Sequence, residues 1–268
     1  MCFNLLSPSK IARVRALMDI AHMTVVADNV DVVRALSAGM SPAMPLDVLV
    51  ECDTGMGRCG VQTPQAACDL AQAIDAAPGL RFAGLMTYPA PGATVQVQAF
   101  LTQARDLCIA AVGQCDTISG GGTPSLLDAG LSPILTEYRA GTYIYNDRSL
   151  VARGACTLTD CALTVLATVV SRPTDTRAIL DSGSKSLTSD LLGLIGYGTI
   201  LGHPDAQITG LSEEHGHVMT TSALAVGDKV QIVPNHACPV SNLVDRVVFH
   251  RSGVVVREAD VAARGCVT

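Results

Sequence analysis

Short apolar runs alternate with amphipathic stretches through the first half of this chain. Leu5 and Leu6 close a strand-like stub, and Pro8 opens PSKIARVRALMDIA, in which Ile11, Val14, Met18 and Ala21 fall on one helical face. The run from Thr24 to Ala27 predicts a strand, and Asn29 to Ser37 a helix. The alternation continues with a strand from Asp47 to Cys52, a helix from Pro64 to Ala76 and a strand from Arg81 to Thr87. A helix from Val95 to Val112, a strand from Cys115 to Ser119 and a last strand from Glu137 to Tyr145 complete the series. This spacing predicts a TIM-type β/α barrel that is incomplete, with six strands visible against the eight of a closed barrel.

The pattern changes after about Arg153. CALTVLATVVSRP, TRAILDSGS, KVQIVP and DRVVFHRSGVVVRE are rich in β-formers, broken by Pro, Gly and Asp, with little helical periodicity. The prediction is therefore two domains: a partial β/α barrel over residues 1–152 and a C-terminal β domain over 153–268.

Composition narrows the function. In 268 residues, 49% are hydrophobic, enough for sizeable cores, and the net charge is −6. No Lys/Arg stripe exists to neutralise phosphates, so a nucleic-acid or anionic-membrane surface is not expected. No apolar run reaches the ~18 residues of a membrane span. The ten cysteines, in a chain too long to need disulfide staples and without a secretory leader pattern at Met1, read as reduced thiols of a cytoplasmic protein.

Four segments carry candidate chemistry. In VPNHACPVSNLVD, His236 and Cys238 stand two residues apart; on an extended strand their side chains leave the same face and converge on one cation. Imidazole and thiolate suit zinc or a similar divalent metal, and a two-ligand seat leaves positions open for a substrate hydroxyl. The alternative is a buried structural cysteine beside a surface histidine. In TISGGGTPSLLD, three glycines precede Thr123 and Pro124, read as N-cap and first helical position, which makes either a phosphate cradle or a tight structural turn. In VECDTGMGRCGV, Arg58 projects from a Gly-rich turn at the mouth of the barrel, or pairs with a surface acid. In LSEEHGHV, Glu214 and His215 are adjacent, an arrangement more often solvated than catalytic.

Taken in order, DTGMGRCGV, SGGGTPS, EYRAGTYIYND, DSGSKSLTSD, SEEHG and PNHACPVSNLVD resemble the D-threonine aldolase and D-serine dehydratase-like enzymes, over about Pro8 to Val248. These are pyridoxal-phosphate proteins related to the alanine racemase barrel. The resemblance implies an alanine racemase-like barrel with a C-terminal β domain, a homodimer when full length, and a divalent metal (zinc, manganese or magnesium) beside pyridoxal 5′-phosphate. Carried over by motif, Gly121, Gly122 and Thr123 would hold the phosphate, Arg58 would lie near the cofactor, Tyr143 would line its pocket, and His236 with Cys238 would bind the metal. The implied substrates are D-configured β-hydroxy amino acids, either cleaved at Cα–Cβ to glycine and an aldehyde or dehydrated. The His-x-Cys pair resembles the dehydratase branch.

One departure concerns the lysine that joins the cofactor. In the family it lies in an Arg-Pro-His-containing segment on the first barrel strand, and no such segment occurs here. Lys10 is on an outer helix, Lys185 in DSGSKSLTSD, and Lys229 in a predicted turn. With the six-strand count, against a barrel of ~250 residues plus a β domain, this implies a missing N-terminal piece of roughly 100 residues. The expectation is a lyase that is inactive as given; the alternative is a catalytically dead relative that binds cofactor and metal, or a gene fragment.

Overall fold

The computed structural model describes residues 3–90 and 92–267, which form two compact units divided between Ala140 and Gly141. In the first unit, α1 (Pro8–Leu17) starts on a proline, whose missing N–H costs nothing in a first turn, and buries Ile11 and Val14. It ends at Leu17, so Met18 and Ala21 lie beyond it. Strand β1 (Thr24–Ala27) leads to α2 (Val30–Gly39), where the Asn29 side chain accepts from the N–H groups of Asp31 and Val32. Strand β2 (Leu46–Cys52), α3 (Pro64–Asp75) capped by Thr63, β3 (Leu80–Thr87) and α4 (Thr94–Val112) follow. Gly113, at φ 92°, stops α4 in a left-handed conformation. Strand β4 (Thr117–Gly120), a 3₁₀ helix (Thr123–Leu131) and β5 (Glu137–Tyr138) complete the unit.

The sheet is wholly parallel in the order β1-β2-β3-β4-β5. Among the described residues it therefore has five strands, not six. Leu5 and Leu6 are irregular: Leu5 is buried without pairing, because burial alone supplies no ladder partner. Period-two alternation separates the two faces. Val25, Val48, Val50 and Phe82 join the large core beneath the helices, whereas Val26, Leu49 and Met86 form a small cluster on the opposite face. Glu51, two residues beyond Leu49, continues that second face to the carboxyl edge of the sheet.

The second unit opens with a 3₁₀ turn (Thr142–Ile144) and α5 (Arg148–Ala152). The run from Glu137 to Tyr145 is thus a strand only at its first two residues. Residues 141–152, assigned by pattern to the barrel, are tied into this unit: the N–H groups of Arg148 and Ser149 donate to Pro234 O and Asn235 O at 3.0 and 3.3 Å. Next come β6 (Val165–Thr174), β7 (Arg177–Leu180), α6 (Ser184–Leu187), β8 (Thr199–Ile200), β9 (Gln207–Leu211), β10 (Gly216–Met219) and β11 (Lys229–Val233). They form a six-stranded sheet in the order β8-β11-β6-β7-β10-β9 around Val169, Leu180, Ile208 and Ile232. Helix α7 (Ala237–Leu243) and a hairpin of β12 (Arg246–Arg251) and β13 (Val254–Asp260) close the chain. Among the described residues, no helix is long and apolar enough to cross a membrane.

Candidate functional site

At the carboxyl edge of the parallel sheet, the loop after β4 forms a cradle. Gly121 sits at φ 75°, and an added Cβ there would run into the Tyr138 ring, so only glycine fits. Tyr138 is pinned in turn, its hydroxyl 2.8 Å from Ser125 Oγ and donating to Gly122 O at 3.1 Å. Gly121, Gly122 and Thr123 are buried, and among the described residues neither the Gly121 nor the Gly122 N–H donates to a protein acceptor. Buried backbone donors rarely go unpaired, and two such N–H groups are able to receive an anionic group. The cap is Gly122 rather than Thr123, and the following helix is 3₁₀ with a kink at Ser125, so the donors matter more here than a helix dipole. A cleft of about 370 Å³ beside the cradle is lined by Pro89, Ala90, Ser125 and Tyr138 among others.

Tyr88 links the cradle to a second, larger cleft. Its ring lies in van der Waals reach of Gly122 on one side, and the Arg58 guanidinium sits 5.0 Å from its centroid. This cleft, about 890 Å³, is lined by Glu51, Arg58, Cys59, Met86, Tyr88 and Arg139, with Phe3 at its rim. Arg58 Nη2 is 3.8 Å from Glu51 Oε1. Arg139 donates to Ser119 Oγ and Thr87 O, both at 2.7 Å, which fixes its guanidinium across the ends of β3 and β4. Burial lowers the Arg139 pKa and raises that of Glu51, the latter against the opposing pull of Arg58. The loop that presents Arg58 is shaped by Asp53, whose Oδ1 accepts from the N–H groups of Gly55 and Gly57. A fixed anion cradle opening on a cleft with two guanidinium groups suits a phosphorylated, planar cofactor.

The second unit holds the His236 and Cys238 pair, on a strand end and a helix start rather than on one strand. His236 is the extended cap residue after β11, and Cys238 lies in the first turn of α7. The helical turn still brings the side chains close enough for each to shift the other's titration, and Thr142 Oγ1 is 3.4 Å from Cys238 Sγ. His236 Nδ1 meets Asp190 Oδ2 at 2.6 Å. The neighbouring Cys238 thiol, aided by Asp190 and opposed by burial, pushes the imidazole up to about 9, and the imidazole in turn lowers the thiol. Both groups would lose a proton to a cation, and the arrangement of Asp190 behind His236 is that of a ligand histidine whose second nitrogen is held by a carboxylate. Among the described residues no group of three or more His, Cys, Asp or Glu side chains is arranged to hold a metal ion, so this pair offers two ligands at most.

Buried hydrogen bonds set this loop. Asn235 is fully buried; its Nδ2 donates to Asp190 O and Gly196 O at 3.0 and 2.8 Å, and its Oδ1 accepts from Arg148 Nη1 at 3.0 Å. Asp147 Oδ2 accepts the Ala237 N–H at 2.9 Å.

The structure thus groups Gly121, Gly122, Thr123 and Arg58 within the first unit, and His236 and Cys238 within the second. Tyr143 belongs to the second unit and is 55% exposed in the turn beside Thr142. Sequence reasoning missed Glu51, Arg139, Tyr138 and Asp190. A strand-end carboxylate in LDVLVEC, and the Arg and Asp within EYRAGTYIYND and DSGSKSLTSD, were the available signals. The SEEHG segment is solvated as expected: Lys185 Nζ bonds Glu214 Oε1 at 2.7 Å and Glu213 Oε2 at 3.2 Å. Lys229 begins β11 instead of lying in a turn, and its Nζ donates to Thr168 Oγ1 at 2.6 Å.

Comparison with known proteins bears on the family and the fold. The alanine racemase N-terminal domain model matches residues 2–149 and the putative serine dehydratase domain model residues 162–250. A D-threonine aldolase of Arthrobacter sp. is 35% identical, over 98% of this chain and 73% of its own. The crystal structure of D-threonine aldolase from Filomicrobium marinum superposes with a TM-score of 0.84 at 32% identity, covering 99% of this chain and 76% of that one. D-threo-3-hydroxyaspartate dehydratase from Delftia sp. HT23 gives 0.83 at 26% identity, covering 95% and 76%. The chain belongs to the D-threonine aldolase and D-serine dehydratase-like family of pyridoxal-phosphate enzymes with the alanine racemase fold.

Proposed function

We propose that this chain is a lyase for D-configured β-hydroxy amino acids, using pyridoxal 5′-phosphate and a divalent metal, of D-threonine aldolase or D-serine dehydratase type. The observation that carries this reading is the His236–Asp190 pair beside Cys238, a two-ligand seat with its imidazole held from behind. When bound, the two groups supply an electron sink for the substrate's α carbon and a Lewis acid for its β-hydroxyl. The chain's own part is to hold and orient. The Gly121 and Gly122 N–H groups bind the phosphate, and Tyr138 keeps their loop in place. Arg58 and Arg139 line the adjoining cleft, where burial raises the Glu51 pKa, so that this carboxyl keeps its proton to higher pH than a solvated glutamate would. Asp190 fixes the His236 ring, and Asn235 fixes the backbone that carries both.

The lysines favour a second reading for the polypeptide taken by itself. Lys10 lies on α1 with its Nζ 4.6 Å from the Phe3 ring centroid, Lys185 is held by two glutamates, and Lys229 is bonded to Thr168. Among the described residues, no lysine lines the first unit's cleft of Glu51, Arg58 and Arg139, so we infer that the chain holds the cofactor without covalent attachment and does not turn over substrate. Borohydride reduction in the presence of the cofactor, followed by peptide mapping, should label no lysine stoichiometrically, and D-threonine and D-serine should remain unchanged. Stoichiometric labelling of one lysine together with release of glycine or ammonia would make this chain a complete lyase. Failure to bind cofactor or metal at all would remove the functional reading altogether.

A further inference from the structure

The segment that opens the second unit is tied to the metal seat on both sides of His236. Thr142 O accepts the N–H groups of Tyr145 and Asn146, at 3.0 and 2.8 Å, which closes the 3₁₀ turn and fixes where Thr142 stands. Asn146 then turns the chain at φ 51°, a left-handed conformation that asparagine tolerates, and its Nδ2 donates to Asp160 O at 2.9 Å. From there the bonds run to the seat. The N–H groups of Arg148 and Ser149 reach Pro234 O and Asn235 O, and Asp147 Oδ2 accepts the Ala237 N–H. Asp147 is 1% exposed, and its other oxygen accepts from Ser149 Oγ and the Leu150 N–H at 2.7 and 3.1 Å, so its carboxylate is committed to this frame. Thr142 contributes the bond that reaches the sulfur: Oγ1 lies 3.4 Å from Cys238 Sγ. Either atom can donate while Cys238 is a thiol. A cysteine binds a cation as the thiolate, which has no proton to give, so with a cation in place the hydroxyl is the donor.

We propose that Thr142 is a positioning residue for the Cys238 ligand: its hydroxyl donates to the thiolate, aims the sulfur and takes up part of its charge. The inference rests on the reading of His236 and Cys238 as metal ligands. Cys238 is exposed, and a short side chain in the first turn of a helix has more than one rotamer open to it; the bond to Thr142 selects one. A hydrogen bond to an ionised acceptor is also stronger than one between neutral groups. A sulfur that shares its charge with a hydroxyl gives less of it to a cation, which stays the stronger Lewis acid towards a substrate hydroxyl.

Shape and hydroxyl make opposite forecasts at this position. Thr142→Val keeps the branched side chain and loses the donor, whereas Thr142→Ser loses the branch and keeps the donor. The experiment titrates the metal-free full chain, wild type and variants, with cobalt(II) and records the thiolate-to-metal absorption band. Without the hydrogen bond the sulfur lone pairs lie higher in energy. Thr142→Val should therefore move the band to longer wavelength and weaken cobalt(II) binding by about 10–100-fold, while Thr142→Ser should keep the wild-type band position and affinity. A weakened affinity with an unmoved band, or a serine variant that behaves like the valine one, would make Thr142 a packing residue and overturn the proposal. So would an unchanged band and affinity in Thr142→Val. Thr142→Ala reads the loss of the donor in the same way if the valine variant does not fold. A wild-type chain that shows no such band on addition of cobalt(II) would remove the ligand reading of Cys238 and this proposal with it, an outcome distinct from a wild-type band that Thr142→Val leaves in place.

Discussion

His236 Nδ1 lies 2.6 Å from Asp190 Oδ2, joining a residue at the end of β11 to one in the loop after α6. The carboxylate fixes the ring plane and its tautomer, which leaves Nε2 as the nitrogen for a cation.

Substitution at this pair should separate ligands from their support. His236→Ala and Cys238→Ala should each abolish binding of cobalt(II), read by loss of the thiolate-to-metal absorption band. Asp190→Asn should instead weaken it by about 10–100-fold while keeping the band's shape, as removal of a carboxylate behind a ligand histidine does. Equal metal content in all three variants would make the seat structural.

Asn235→Ala should destabilise the protein by about 1–3 kcal/mol in urea unfolding, because Asp190 O, Gly196 O and Arg148 lose a buried partner. Metal affinity should fall with it, since the loop that holds Asp190 beside His236 is no longer tied down. Unchanged affinity in the folded variant would show that Asn235 serves stability alone.

Gly121→Ala places a Cβ against the Tyr138 ring at a left-handed φ, and should cost about 1–3 kcal/mol of stability. In the fraction that folds, affinity for pyridoxal phosphate should drop, measured by equilibrium dialysis. Metal binding at His236 should remain, because that seat is built from separate elements.

Glu51 provides the pH test. Burial raises its folded pKa above the ordinary value of 4.5, so between the two values the native state holds a proton that the unfolded chain has lost. Its contribution is present below the unfolded pKa and is lost as pH rises through the raised folded value. Cofactor-free Glu51→Gln should therefore be more stable than wild type at neutral pH, with the advantage vanishing in acid. Parallel stability curves for the two proteins would mean that Arg58 and Arg139 fully offset the burial.

The sequence by itself determined the repeating β/α order, the change to β structure in the second half, and the family through six ordered motifs, because periodicity and turn chemistry are local. It also put His236 near Cys238, since two residues cannot separate far in either a strand or a helical turn. Tertiary structure alone decided the rest. That Leu5 and Leu6 are buried coil, and that Glu137 to Tyr145 leaves the sheet after Tyr138, depends on whether a pairing partner is at hand, which local pattern does not encode. Asp190 reaches His236 across 46 residues, and Arg139 reaches Thr87 across 52. Such contacts arise only when separate strands end at one edge or one loop folds over another, so the carboxylate behind the histidine and the guanidinium across the strand ends are products of packing.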